Sequence, residues 1–146
     1  MTAEQLFPLC NYSVVPGWLL LVFAPRWKGT QIVSGSVIPL ALAVAYLVLL
    51  ISQWSVLEGS FSSLAGVATL FENPYTLLAG WIHYLAFDLF VGSWEVRDAS
   101  RLEIHHGLVA PCLIFTFLFG PFGLLLYFGL RTSLRKNLTV KEHASH

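Results

Sequence analysis

The chain has 146 residues, of which 56 % are hydrophobic and only 11 % charged, against about 25 % charged in ordinary soluble domains. That much apolar surface predicts an integral membrane protein of one domain. Eight Lys/Arg balance eight Asp/Glu, so there is no basic field for nucleic acid. The two cysteines, Cys10 and Cys112, lie inside apolar segments, form neither a disulfide framework nor a zinc pattern, and read as small packing residues. The opening MTAEQLF lacks a positive n-region and the apolar segment behind it ends in PRWK, so that segment is expected to stay in the mature protein.

The first apolar segment, about residues 6–24, contains Pro8, Asn11 and Pro16, as suits a membrane helix with irregular or kinked first turns. Trp18 and Trp27 could anchor its ends, and Asn11 is a candidate inward-facing polar group. The second, residues 32–51, is an uncharged span about 30 Å long if helical. Pro39 should bend it, and Ser34, Gly35 and Ser36 offer small surfaces for close packing. Between Ser52 and Thr76 the stretch FSSLAGVATLF is too short to span, so it predicts an interfacial or re-entrant piece. Glu72, Asn73 and Pro74 then make a turn, because proline disfavours helix just before it and fits the first helical turn.

The third segment, about residues 77–94, carries His83 and Asp88 within apolar surroundings. An ionisable side chain there costs on the order of 3 kcal/mol on insertion scales, so such residues usually mark a functional site. Relative to His83, the residues Asp98, Glu95 and Asp88 fall at about 60°, 120° and 140° on a helix, which predicts one face, secure through Glu95. The connection from Glu95 to Gly107 adds Arg97, Asp98, Arg101, Glu103, His105 and His106, with Arg97, Asp98, Arg101 and His105 expected in structural ion pairs. The fourth segment, residues 108–130, contains Pro111 and then Gly120, Pro121 and Gly123, which should break or kink it near its middle. A basic tail follows, residues 132–146, with Arg135, Lys136 and Lys141 beyond Arg131 and with His143 and His146 solvated.

These segments predict an all-α integral membrane four-helix bundle, residues 1–131, with a short interfacial or re-entrant segment between helices two and three. Four crossings put the two ends of the chain on one side. If Glu95, Asp98 and Glu103 neutralise Arg97 and Arg101, the basic tail decides and both termini face the cytoplasm.

The strings GWIHYLAFDLFVGSWEVRDA, IHHGLVAPCLIFTFLFGPFGLLLYFGLR and NYSVVPGWLLLVFAPRWKGT resemble the abscisic-acid-deficient four-like family of small membrane proteins over about residues 5–131. Plant members are associated with forming neoxanthin from violaxanthin in plastids, while many bacterial relatives belong to organisms that make no neoxanthin. The resemblance implies carotenoid or isoprenoid metabolism in a plastid, bacterial inner or thylakoid-type membrane. It transfers no catalytic residue.

Argued from chemistry, an epoxide-to-allenic-alcohol isomerisation needs an acid and a base in different environments and no electron carrier. Asp88 is the expected acid, Glu95 the base and His83 a relay. Trp81, Tyr84, Phe87 and Asn11 are expected around a polyene substrate. No cofactor is expected, and the other segments offer no carboxylate for a di-metal cage. One alternative is a single metal ion on His83, Asp88 and His105. Another is a non-catalytic pigment-binding, lipid-binding or assembly protein, whose polar cluster ties helix three to helix four. The expected partners are the bilayer, an isoprenoid and, as an open alternative, further copies of the chain.

Overall fold

The structure of the protein, a computed structural model, describes residues 1–135; the expected tail residues Lys136, Lys141, His143 and His146 lie outside the described residues. Every regular element among the described residues is helical. Helix α1 is Ala3–Phe23, opened by a reciprocal cap in which Thr2 N–H donates to Gln5 Oε1 (3.0 Å) and Gln5 N–H donates to Thr2 Oγ1 (3.3 Å). Pro8 and Pro16 both lie inside it.

Helix α2 runs over Lys28–Val56. Pro39 is accommodated without interrupting it: residues Val33–Val37 form one wide turn in which the Ile38 N–H reaches back to Val33 O. The extra residue in that turn absorbs the missing proline donor. The small residues before it pack as expected. Ser34 is fully buried and donates to Gly17 O (2.9 Å), and a Cβ on Gly35 would lie 2.6 Å from Ser93 Oγ.

Helix α3, Leu64–Glu72, is capped by Ser63 and packs on the first turns of α4, with Leu70 buried and Phe71 against Gly80. Helix α4, Pro74–Arg101, begins where the Asn-Pro pair predicts, because Asn73 Oδ1 accepts from the N–H groups of Tyr75 (2.9 Å) and Thr76 (3.3 Å) and Pro74 occupies the first turn. It runs a further two turns beyond the expected end at residue 94. Glu95 and Asp98 find buried partners instead of water, so the polar stretch stays helical. The chain then turns through Glu103, at φ +53°.

The largest departure from expectation is the fourth segment. It is two helices, α5 (His106–Phe119) and α6 (Pro121–Arg135), packed against each other. Gly120 sits at φ +51°, a region that side-chain-bearing residues rarely enter, and Pro121 starts a new helix there. A Cβ on Gly123 would overlap the Thr116 backbone, so this second glycine lets α6 close onto α5. The Gly-Pro-x-Gly run therefore reverses the chain instead of kinking it. Arg131 returns to the level of Asp98, and Arg135 donates to Glu103 O (2.8 Å).

Three helices, α1, α2 and α4, with 21, 29 and 28 residues, are long and apolar enough to cross a membrane. At about 1.5 Å per residue, α5 and α6 each reach only about 22 Å, short of the roughly 30 Å hydrocarbon core. Where one fourth helix was expected, the described residues hold a helical hairpin beside three long helices. Helix α4 contacts all the others. Around it pack Val14, Trp18 and Leu21 of α1, Leu42 of α2, Leu113 of α5 and Tyr127 of α6.

The two ends of the bundle are well defined. At one, Tyr75 donates to Met1 O (3.4 Å) and Asn73 to Gln53 Oε1 (3.1 Å). At the other, the His106 ring lies 2.9 Å from Val22 O and Arg135 meets Glu103. Met1 and Arg135 are therefore at opposite ends of the bundle.

Candidate functional site under the hairpin turn

Trp81, Asp88 and Glu95 are spaced by heptads, which drift only about 20° per step on a helix, so they form a stripe along α4. Tyr84 stands one turn before Asp88 on the same side. The stripe faces α1 at its start and the hairpin along the rest.

At the Met1 end, a crevice of about 350 Å³ separates α1 from α4, lined by Ala3, Glu4, Phe7, Leu77, Leu78 and Trp81 among others. It exists because the hairpin is too short to fill this level. The Trp81 Nε1–H donates to Asn11 Oδ1 at 2.7 Å, which ties the two walls together. The Trp81 ring is 5.7 Å from Phe7 and 5.2 Å from Tyr84.

At the next level the hairpin turn meets α4. A Cβ on Gly120 would lie 3.0 Å from Asp88 Oδ1, 3.1 Å from the Tyr84 ring and 3.2 Å from Asp88 Oδ2, so the turn approaches the carboxylate with bare backbone. Asp88 Oδ2 is buried and has no hydrogen-bond partner. The Tyr84 hydroxyl is the side-chain donor that faces this carboxylate.

Two turns further on, Glu95 is fully buried. Thr116 Oγ1 of α5 donates toward its two oxygens, at 3.0 and 3.2 Å, and lies 3.0 Å from Cys112 O. Asp98 follows, with three side chains donating to it. It accepts from Tyr127 Oη (2.7 Å), from Arg131 Nε (2.7 Å) and from Arg101 NH2 (2.6 Å). Arg131 and Tyr127 are fully buried, so this pair clamps the returning arm of the hairpin to α4.

A family model for ABA DEFICIENT 4-like proteins matches residues 5–127. The chain belongs to the ABA4-like family. No curated protein and no solved structure matches it.

In this ABA4-like chain the structure gathers part of the site expected from sequence. Asn11, Trp81, Tyr84 and Asp88 form one connected group, and Glu95 lies on the same stripe about 10 Å further along the axis. His83 is not with them. It is exposed on another side of α4, stacked on Phe87 at 4.5 Å and 6.0 Å from Tyr46. An arc of about 140° from His83 to Asp88 is wide enough to put the two on different surfaces, and the structure does not bring them together. Phe87 turns away with it and is 58 % exposed.

Among the expected ion-pairing residues, Asp98 and Arg101 do pair, and Arg97 is exposed. His105 instead caps α5, accepting from Gly107 N–H at 3.2 Å. The alternative metal set of His83, Asp88 and His105 cannot share an ion, since His83 and the end of α4 are separated by about 27 Å of helix. Among the described residues, no other group of three His, Cys, Asp or Glu gathers either.

Sequence reasoning missed Thr116, Tyr127 and Arg131 of the ABA4-like chain. A signal was present: Cys112 and Thr116, and likewise Tyr127 and Arg131, are four apart and share a helix face.

Proposed function

We propose that the chain is an integral membrane protein of carotenoid or related isoprenoid metabolism, and that Asp88 and Tyr84 are its acid/base pair for an isomerisation of neoxanthin-synthase type. The observation that carries this reading is the buried Asp88 oxygen with no partner, on the same stripe of α4 and two turns beyond Trp81, the last lining residue of an apolar crevice in which Phe7 and Trp81 are partly exposed. Family membership supports the substrate class. A bilayer-dissolved polyene can enter sideways between α1 and α4 and leave its tail in lipid.

The chemistry is balanced within this pair. The Asp88 carboxylate removes a carbon-bound proton beside the epoxide, the electrons form the allene, and the carbon–oxygen bond opens. The Tyr84 hydroxyl donates its proton to the released oxygen, giving the alcohol. Transfer of the proton from Asp88 to the facing Tyr84 oxygen restores both groups, and no atoms are added. Asp88 is thus assigned the base rather than the acid. Glu95, expected as its partner, is about 10 Å away along the helix and sealed by Thr116. Two groups working on one end ring must lie within hydrogen-bond reach of it. Glu95 therefore serves to seat the hairpin.

The test is pigment analysis in an epoxycarotenoid-producing host expressing the chain. The allenic product is expected with the wild-type chain and lost with Asp88→Asn. Unchanged product with Asp88→Asn accumulating normally would end the assignment. A pigment-binding role is the second reading, favoured by a separate apolar groove of about 360 Å³ lined by Pro39, Leu40, Ala43, Ala86, Phe87 and Phe90. Co-purified pigment with no conversion by the wild-type chain would select it.

A further inference from the structure

The hairpin changes where the charges lie. Among the described residues the basic side chains are Arg26, Lys28, Arg97, Arg101, Arg131 and Arg135. Arg26 and Lys28 sit at the α1–α2 turn, and Arg26 lines a cavity with Ser100, Glu103, His105 and His106. Arg97 and Arg101 are on the last turns of α4, Arg131 pairs with Asp98, and Arg135 reaches Glu103 O. All six are therefore at one end of the bundle. The opposite end, where Met1 meets Tyr75 and Gln53 meets Asn73, carries the acidic residues Glu4, Glu58 and Glu72 and, among the described residues, no Lys or Arg.

We infer that the chain crosses the bilayer three times, with the basic end facing the compartment in which it is synthesised and the Met1, Glu58 and Glu72 end facing the far side. Lys and Arg in short connections stay on the side of synthesis, while Asp and Glu weigh little. Had the fourth segment crossed as one helix, Arg131 and Arg135 would have joined the acidic end, leaving the six split four against two. The reversal at Gly120 removes that split. The basic end then meets the anionic phospholipid headgroups of the same leaflet, and the cavity beside Arg26 and His106 opens on that surface. The inference rests on the membrane reading but is independent of the isomerase.

The experiment uses the full chain with Cys10→Ser and Cys112→Ser, expressed in bacterial cells, and single cysteines introduced as Glu58→Cys, Lys28→Cys or Arg135→Cys. Membrane insertion is checked separately by resistance to alkaline extraction, so that loss of the membrane reading itself is recognised. With a membrane-impermeant maleimide, Glu58→Cys is expected to label in intact spheroplasts, and Lys28→Cys and Arg135→Cys only after permeabilisation. Labelling of Glu58→Cys and Arg135→Cys from the same side overturns the three-crossing topology. Opposite sides with Arg135→Cys outside overturn the charge argument. A carboxy-terminal fluorescent protein that matures only in the cytoplasm reads the same outcome in the unmutated chain, where it is expected to fluoresce.

Discussion

Replacing Arg131 with Met removes the cation that clamps α6 to α4 and leaves Asp98 inside the protein. Asp98 is 4 % exposed and Arg131 fully buried, and their 2.7 Å contact is reinforced by Tyr127 at 2.7 Å. Arg101 stays within reach of Asp98, but its side chain is 34 % exposed, so it compensates only in part. Breaking a buried pair from one side costs about 3–5 kcal/mol, mainly because a charge is left uncompensated. For a chain of this size each kcal/mol shifts the melting temperature by about 2–4 °C, which gives a loss on the order of 10 °C. The assay is thermal unfolding of detergent-purified protein. Adding Asp98→Asn to Arg131→Met is expected to recover a substantial part of that loss, since the stranded charge disappears. If Arg131→Met melts within about 2 °C of the wild type, or if the double variant is no better than the single one, the clamp is not what holds the hairpin.

The remaining expectations concern the hairpin turn and the excluded histidine. Gly120→Ala places a methyl group 3.0 Å from Asp88 Oδ1 at a φ of +51°; it is expected to cost about 1–2 kcal/mol and to lower pigment conversion more than stability, read by the product yield per folded protein. Thr116→Val takes away the hydroxyl that Glu95 meets at 3.0 Å, and the melting temperature is expected to fall by an amount equivalent to about 1–3 kcal/mol. His83→Phe should leave conversion unchanged, because His83 stacks on Phe87 away from the Asp88 stripe; a loss of turnover with normal folding would return it to the mechanism.

Much of this arrangement is visible in local sequence. The Asn73-Pro74 start of α4, the small residues that bring α2 close to α1 and α4, and the Asp98–Arg101 pair all depend on neighbours within a turn or two. The hairpin does not. Gly120, Pro121 and Gly123 are equally compatible with a bent crossing and a full reversal. What decides between them is whether Arg131 and Tyr127 find Asp98 about thirty residues earlier in the chain, a pairing that no local pattern encodes. His83 fails for a different reason. Its polarity in an apolar run is real, but angular position on the helix separates it from Asp88, and only the packing of α1 and α5 shows which side of α4 is closed. Of the groups that polarity selects, Asp88, Glu95 and Asp98 are the ones the hairpin meets.

The most direct measurement is turnover by purified protein in liposomes loaded with an epoxycarotenoid, comparing Asp88→Asn with Glu95→Gln, which keeps an oxygen for Thr116. Conversion is expected to be abolished by Asp88→Asn and to persist at more than about half the wild-type rate with Glu95→Gln, because in the proposed mechanism only Asp88 takes the substrate proton. Full activity in Asp88→Asn, or equal loss in both variants with folding intact, would contradict an acid/base centre at the hairpin turn.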